Sequence, residues 1–363
     1  MAVNNTRWSE TPGEPQLSRA NPGSRGRSPH QFEILLPVRD YDLAATLDSG
    51  QVFRWQRSAD GSSASSNSWL GVIGNHRVRL TQTHDGICAE TAAPVEDWSW
   101  LRDFLQTETD LASVLKTFPD DEPMRAAVTA CRGLRVLRQE PWECLASFIL
   151  SSTKQIVQIR QIVSLLCERF GEPLIASQVG RAVLCPPSNL VSDSLRPQSS
   201  DGAHGVTRPT KPVEEGKFNS FPPPARLAAL NESDLRACKM GFRAPHLLAA
   251  ARQIADGKLD LENIRRLPLA EARAELMKLR GVGGKIADCV LLFAYGFDSA
   301  FPVDVWVERA LQQLYFPRRR ASEKRLRHFA ATHFGPHAGY AQQYLFHNIR
   351  TKMKNVGAEV TRL

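Results

Sequence analysis

A lysine on a glycine-rich turn is the first feature of this sequence that could do chemistry. The stretch LRGVGGKIAD places Lys285 just after Gly281, Val282 and Gly283, at the start of an apolar, helix-like segment. Glycines allow a tight turn with exposed amide groups, and such a turn before a helix can bind a phosphate. Cys289, four residues after the lysine, shares its helix face. The alternative is an ordinary solvated lysine at a helix start.

Asp304 follows nineteen residues later, in FPVDVWVERAL, and offers a carboxylate partner for that amine. Because it precedes an apolar run of helical period, its structural interpretation is a helix N-cap. A helix, turn and helix of this length would fold the cap back towards the face that carries Lys285. Such a pair can act on a carbon atom, since a neutral amine is a nucleophile and a carboxylate stabilises positive charge.

Two kinds of element are expected to position these residues. Short alternating runs between residues 32 and 91 predict half-buried strands, as in HRVRLTQT, where Val78 and Leu80 share one face. Asp85-Gly86 suits a tight hairpin, so the strands should form an antiparallel sheet. After Trp98 the apolar residues recur every three or four positions, which predicts helices to the end of the chain.

Two stretches lack such periodicity. The first thirty residues and residues 185–224 are rich in Pro, Ser and Gly, which predicts a solvated tail and a disordered insertion. The apolar run near Cys289–Phe297 is far shorter than the roughly 20 residues that cross a bilayer, so no membrane span is expected.

Charge and cysteine content restrict the class of protein. A net charge of +8 favours an anionic partner, and basic residues cluster in RRRASEKRLRHF, where a solvated helix face is an equally good interpretation. The seven cysteines are scattered without a CxxC pair. This pattern is typical of reduced intracellular thiols and not of a zinc or iron–sulfur site.

The segment LRGVGGKIADCVLLFAYGFDSAFPVDVWVERAL resembles the helix-hairpin-helix, Gly-Pro-Asp motif of base-excision DNA glycosylases, in the subset with a catalytic lysine. Four more segments, SGQVFRWQ, PWECLASFILSS, KMGFRAPHL and AGYAQQYLF, resemble in order those of the 8-oxoguanine DNA glycosylase/lyases. The implied fold class is α+β, with a TBP-like N-terminal antiparallel β-sheet domain followed by an all-α helix-hairpin-helix region. The expected divisions are a disordered tail at 1–30, the β domain at 31–118, and the helical region at 119–357 with a disordered insertion at about 186–222.

The resemblance implies a bifunctional DNA glycosylase and AP lyase that excises 8-oxoguanine from duplex DNA in base excision repair. Lys285 would attack the anomeric carbon of the damaged nucleotide and form a Schiff base that permits β-elimination. Asp304 would stabilise positive charge on the sugar. The damaged base would first rotate out of the duplex into a pocket.

By the same resemblance, five residues form that pocket. Phe346 and Cys289 would stack on the two faces of the base, and Gln342 would hydrogen-bond its Watson–Crick edge. The carbonyl of Gly50 would accept from N7–H, which 8-oxoguanine carries and guanine lacks. Pro302 completes the pocket.

Further residues are implied in DNA binding: Thr153, Gln158, Phe242, Arg243 and the hairpin residues Gly281, Val282 and Gly283. The family usually has asparagine at Thr153, arginine at Gln158, tyrosine at Phe242 and histidine at Trp306. These departures put cytosine preference opposite the lesion in doubt, whereas the catalytic pair is kept.

The expected partner is duplex DNA containing oxidised guanine, bound by a monomer. No membrane association and no organic cofactor are expected. The expected location is that of the genome, which is the nucleus of a eukaryote or the cytoplasm and nucleoid of a prokaryote. A backbone-coordinated monovalent cation at the hairpin is implied by the resemblance alone. Two alternatives stay open. An endonuclease-III-like glycosylase would share Lys285 and Asp304, although the four closely spaced cysteines usual near its C-terminus are absent. A non-catalytic helix-hairpin-helix DNA-binding protein would use Lys285 only as a phosphate contact.

Overall fold

The computed structural model describes residues 31–58, 67–174, 218–318 and 320–360. The predicted tail and most of the predicted insertion lie outside these ranges. Residues 218–222, at the end of that segment, are described: Asn219 pairs with Pro173 in an isolated antiparallel bridge, and Phe221 packs edge-on against Trp142. The division of the chain into a tail, two regions and an insertion stays a prediction. Within the described ranges, no helix is long and apolar enough to cross a membrane.

The N-terminal region contains a five-stranded antiparallel sheet, in which the first strand pairs with the fifth, the fifth with the fourth, the fourth with the third and the third with the second. The strands are β1 (Gln31–Leu36), β2 (Trp55–Arg57), β3 (Ser68–Ile73), β4 (His76–Gln82) and β5 (Ile87–Val95). In β4 the side chains of Val78 and Leu80 are fully buried and their neighbours are not, as the alternation predicts. The turns fall at Gly74-Asn75 and around Asp85-Gly86.

The other elements are helices. The first six are α1 (Leu43–Asp48), α2 (Ser99–Leu105), α3 (Leu111–Leu115), α4 (Glu122–Ala130), α5 (Pro141–Leu150) and α6 (Ile156–Phe170). Next come α7 (Pro224–Ala228), α8 (Glu232–Arg236), a 3₁₀ turn (Gly241–Arg243), α9 (Ala244–Ala255), α10 (Leu261–Ile264) and α11 (Leu269–Met277). The last are α12 (Gly284–Val290), α13 (Val305–Tyr315), α14 (Glu323–His333) and α15 (Ala338–Val360).

Two hydrophobic cores underlie this α+β architecture. The smaller core lies between the sheet, α1 and α2, and the larger core fills the helical region. The cores interlock, because Leu137 from the start of the helical region belongs to the sheet core, whereas Phe53 from the sheet region packs into the helical core. The predicted fold class is confirmed.

Two local features differ from the expected pattern. Helix α1 interrupts the stretch that we predicted as strands, and its N-cap Asp42 accepts a hydrogen bond from the amide of Ala45 at 2.8 Å. In addition, α12 continues into a π-helical turn over Leu291–Tyr295, which ends at Gly296 in a left-handed conformation. Such turns often occur at functional sites.

Candidate active site

The hairpin between α11 and α12 is anchored by its apolar residues and opened by its glycines. Leu279 and Val282 are buried, and the amide of Val282 donates to the carbonyl of Leu279 at 3.0 Å. Gly281 has φ +87°, and a Cβ there would lie 2.4 Å from the His246 ring. A Cβ at Gly283 would meet no atom within 4 Å. The turn therefore packs tightly on α9 and leaves space in front of α12 for another backbone.

A buried ion pair fixes α12 relative to α11. The carboxylate of Asp288 is nearly fully buried and accepts from Arg273 Nε at 2.6 Å. Burial raises the pKa of Asp288, and the nearby positive charges of Arg273 and Arg327 lower it. Because breaking such a pair leaves an uncompensated buried charge, Asp288 holds the hairpin helix in register. No local pattern in the sequence marks Asp288 for this role.

Lys285 extends from the first turn of α12 to the end of α5. Its Nζ lies 3.3 Å from Ser151 Oγ and 5.1 Å from the centroid of the Phe148 ring. Helix α12 packs directly on α5, which brings these groups together. Neither Ser151 nor Phe148 was selected from the sequence, although both lie in the segment PWECLASFILSS that carries part of the family resemblance.

Asp304 is the N-cap of α13, as its position before an apolar helix predicts. Its carboxylate accepts from the amides of Trp306 at 3.0 Å and Val307 at 2.8 Å. Burial raises the pKa of the Cys289 thiol to about 12, while the charge of Lys285 lowers it and that of Asp304 raises it. The charges of Lys285 and Asp304 thus both act on this buried thiol, which stays neutral at physiological pH.

A second group of predicted residues gathers around Gly50. Gly50 has φ +90°, and a Cβ there would lie 2.8 Å from Ile156 Cδ1 and 3.7 Å from Phe346 Cε1. One turn before Phe346, Gln342 is buried, and its Oε1 has no hydrogen-bond partner within the described residues. Pro302 is buried just before the Asp304 cap. Gly50 thus lies close to Phe346, and Gln342, on the same face of α15 as Phe346, keeps an acceptor available.

The loop that carries this glycine is held by the side chain of Gln51, which is fully buried. Its Nε2 donates to the carbonyls of Thr46 at 3.0 Å and Arg135 at 2.8 Å, and its Oε1 accepts from the amide of Leu137 at 2.8 Å. The backbone carbonyl of Gln51 accepts from Gln139 Nε2 at 2.8 Å. These bonds join the loop to the start of the helical region.

The predicted DNA-contact residues divide into exposed and buried members. Phe242 is 55% exposed, and Thr153 and Gln158 are exposed as well. Arg243 is only 2% exposed and donates to the carbonyl of Ser152 and the hydroxyl of Thr153. Arg243 therefore supports Thr153, which has φ +56°, instead of projecting into solvent. Gln158 forms part of the cap of α6.

No group of three or more His, Cys, Asp or Glu side chains that could hold a metal occurs within the described ranges. The six cysteines in these ranges are free and buried. The monovalent cation at the hairpin stays a prediction.

Comparison with known proteins identifies the class. Residues 146–334 match the model of the HhH-GPD superfamily of base excision DNA repair proteins. The chain belongs to this superfamily. Residues 33–145 match the model of the N-terminal domain of 8-oxoguanine DNA glycosylase, which confirms the resemblance to the 8-oxoguanine glycosylases within it.

Relatives match over nearly the full length. A probable N-glycosylase/DNA lyase of Methanothermobacter thermautotrophicus is 28% identical over 87% of this chain and 95% of its own length. The N-glycosylase/DNA lyase OGG1 of Arabidopsis thaliana is 28% identical over 89% of this chain and 81% of its own length. The Clostridium acetobutylicum 8-oxoguanine glycosylase/lyase, solved with double-stranded DNA containing cytosine opposite 8-oxoguanine, superposes with a TM-score of 0.71 at 27% identity and covers 88% of this chain and 99% of its own.

Proposed function

We propose that this protein is a bifunctional DNA glycosylase and AP lyase that removes 8-oxoguanine from duplex DNA. The proposal rests on the placement of Lys285 in the first turn of α12, with its Nζ 3.3 Å from Ser151 Oγ, and of Asp304 at the cap of α13, which follows the hairpin typical of DNA glycosylases. The glycosylase and lyase names of relatives that match nearly full length support it. The protein is accordingly an enzyme of base excision repair.

The proposed chemistry has two stages. In the first, the nitrogen lone pair of Lys285 forms a bond to C1′ and the glycosidic bond breaks. The electron pair of that bond and the proton released by the amine leave with the base. The carboxylate of Asp304 stabilises the positive charge that develops on the sugar. In the second, the C1′–O4′ bond breaks as nitrogen and C1′ form the double bond of a Schiff base, and O4′ takes up a proton. A proton then leaves C2′, and the 3′ phosphate is expelled with the electron pair of its bond to C3′.

The proposed base pocket lies between Gly50 and α15. Phe346 stacks on one face of the base, and Cys289, as a neutral thiol, packs against the other. The unpartnered Oε1 of Gln342 suits a hydrogen bond to the Watson–Crick edge. The carbonyl of Gly50 accepts from N7–H of the oxidised base and repels the N7 lone pair of guanine.

The proposed DNA surface combines the hairpin with the exposed residues beside Arg243. The turn formed by Gly281, Val282 and Gly283 approaches a phosphate, with the amides of Gly281 and Gly283 towards it and the amide of Val282 bonded to Leu279. Phe242 fills the gap that the flipped base leaves, as inserted apolar side chains do elsewhere. Thr153 and Gln158 face the estranged partner base. We further propose that the enzyme acts as a monomer inside the cell, on the genome, with affinity that falls steeply as salt rises.

Borohydride trapping tests the central claim. Reduction of a Schiff base between the wild-type enzyme and an 8-oxoguanine duplex should give a stable covalent complex, and Lys285→Gln should give none. Lys258→Gln is the matched control, because Lys258 is exposed, pairs with Asp256 at 3.0 Å and lies between α9 and α10, outside the hairpin. This control should trap as the wild type does.

The same assay separates the two alternatives. A non-catalytic DNA-binding protein would trap nothing, with or without Lys285. An endonuclease-III-like enzyme would trap on a duplex containing an oxidised pyrimidine and not on one containing 8-oxoguanine. Either result would overturn the proposal, whereas trapping on 8-oxoguanine that depends on Lys285 supports it.

A further inference from the structure

Arg350 occupies the same corner of the protein as the proposed base pocket. On α15, Gln342, Phe346 and Arg350 follow at intervals of four residues and share one face of the helix. The guanidinium carbon of Arg350 lies 6.0 Å from the centroid of the Phe346 ring. A Cβ on Gly50 would lie 3.1 Å from Arg350 Nη1. Arg350 therefore borders both the stacking ring and the proposed N7 acceptor.

This corner contains one buried hydrogen-bond donor and one buried acceptor. Arg350 Nη1 and Gln342 Oε1 are both buried, and neither has a hydrogen-bond partner within the part of the chain that the structure describes. An unsatisfied buried polar group is costly, so buried donors and acceptors nearly always have partners in native proteins. A donor and an acceptor left available on one helix face, on either side of an aromatic ring, fit a planar polar ligand.

The ion-pair cluster around Asp48 does not account for Arg350. Asp48 already bonds Arg160 at 3.2 Å and Arg57 at 3.4 Å. Burial lowers the pKa of Arg350, while the charge of Asp48 raises it and that of Arg160 lowers it further. Asp48 thus bonds two other arginines, and Nη1 of Arg350 stays without a partner beside Gly50.

The chemistry of oxidised guanine matches this arrangement. Its 8-oxo form presents the N7–H donor between two exocyclic oxygens, at C6 and C8, both of which accept. A carbonyl acceptor with a donor directly beside it complements such an edge, and unmodified guanine offers no oxygen at C8. A cation at either oxygen would also stabilise the electron pair that the base carries away when the glycosidic bond breaks.

We propose that Arg350 is a further specificity-determining residue, whose Nη1 donates to an exocyclic oxygen beside N7 of the extruded base. This inference rests on the proposed function of the site. It assigns to α15 three distinct contacts with one base: Gln342 to the Watson–Crick edge, Phe346 to the ring face, and Arg350 to the edge that oxidation changes.

The test compares two activities of the same protein. Arg350→Met should lower the single-turnover rate of 8-oxoguanine excision by about 10- to 100-fold, the range expected for a lost hydrogen bond from a charged donor. Strand cleavage at a preformed abasic site should stay within about twofold, because that substrate has no base for Arg350 to contact. Arg350→Lys keeps the positive charge but lacks the planar guanidinium group. Its rate of 8-oxoguanine excision should therefore lie between the rates of the wild type and of Arg350→Met.

Arg160→Met is the matched control. It removes another arginine of the Asp48 cluster, and both activities should stay at the wild-type level. If Arg350→Met does not fold, the ratio of excision to abasic-site cleavage in Arg350→Lys decides the question.

Three results would overturn the inference: unchanged excision in Arg350→Met, an unchanged ratio of the two rates in Arg350→Lys, or an equal loss of both activities in Arg350→Met and Arg160→Met. Failure of the proposed function looks different, because the wild-type enzyme itself would then not excise 8-oxoguanine.

Discussion

The amine of Lys285 lies 3.3 Å from the hydroxyl oxygen of Ser151, and that hydroxyl donates its own hydrogen to the carbonyl of Phe148 at 2.7 Å. Because the serine proton is engaged at the end of α5, the oxygen presents its lone pairs to the amine. Residues 134 positions apart in the chain are joined by this contact. It fixes Nζ at one place in the site.

Removing this acceptor should slow catalysis without abolishing it. Ser151→Ala is expected to lower the single-turnover excision rate about threefold to tenfold, the net worth of one hydrogen bond, while borohydride trapping persists. Ser152→Ala is the control. The hydroxyl that it removes donates to the carbonyl of Ile149 at 3.5 Å and not to Lys285, so the excision rate should not change. Identical rates for Ser151→Ala and the wild type would contradict a positioning role.

Asp304→Asn separates the charge of the cap from its structural role. Asparagine is also a good N-cap, so α13 should stay intact. Excision should nevertheless fall about 10²- to 10³-fold, since the charge that stabilises the sugar is lost. Asp260→Asn changes another N-cap, which accepts from the amides of Glu262 at 2.9 Å and Asn263 at 3.3 Å, and should be fully active. An active Asp304→Asn with an unchanged melting temperature would remove Asp304 from the mechanism.

Gly50→Ala should impair both stability and activity. A positive φ costs an alanine about 1 kcal/mol, and the new Cβ would lie 2.8 Å from Ile156 Cδ1. Gly74→Ala is the control, because Gly74 has φ +56° but open space around its Cβ. Urea unfolding should show a loss of stability in both variants, whereas only Gly50→Ala should lose excision, by more than about tenfold. Equal activity of the two variants would exclude Gly50 from the pocket.

Phe242→Ala should weaken binding to DNA. Phe242 is 55% exposed, and Arg243 lies over its ring at 4.2 Å, which holds the ring at the surface. Loss of one stacking contact should raise the Kd for an 8-oxoguanine duplex about 5- to 100-fold. Phe32→Ala, at a phenylalanine that is 37% exposed in the sheet region, should bind as the wild type does. Unchanged affinity of Phe242→Ala would show that the ring does not enter the duplex.

His76 should make stability depend on pH. Its ring stacks on that of Trp100 with centroids 4.2 Å apart, and burial lowers the pKa of His76 from its usual value of 6.5. The unfolded chain therefore binds more protons below pH 6.5, and stability should fall as the pH drops through the folded-state pKa. His76→Gln should flatten that fall in urea unfolding between about pH 5 and 7. His84→Gln replaces a fully exposed imidazole and should leave the pH dependence of the free energy of unfolding unchanged.

The sequence predicts a feature of this structure well when the interacting residues lie close together along the chain, and poorly when they lie far apart along it. Alternation in β4 and the cap at Asp304 are local patterns, and both predictions are confirmed. Helix α1 was missed because it is short and lies among strands. The π-helical turn at Leu291–Tyr295 was missed because its residues are apolar on every side and show no period that would distinguish it.

The residues of the candidate site, too, could be paired from the sequence only where they lie close together along the chain. Lys285 and Asp304 could be paired from the sequence because only one helix and one turn separate them. Gly50 and Phe346 are nearly 300 residues apart, so only the family resemblance joined them. The burial of Arg243 could not be predicted, since the groups that bind its guanidinium lie about 90 residues away, at Ser152 and Thr153.

The hydrogen bonds of Gln51 bear on how quickly the enzyme can inspect DNA. A single hydrogen atom distinguishes the damaged base from the normal one at the proposed Gly50 acceptor, and a loop that drifted by an ångström could not tell them apart. Since both ends of the Gln51 amide are satisfied by groups of the protein itself, the position of the loop does not depend on a contact with DNA. A normal guanine can therefore be rejected on first contact, and the search can move to the next base pair.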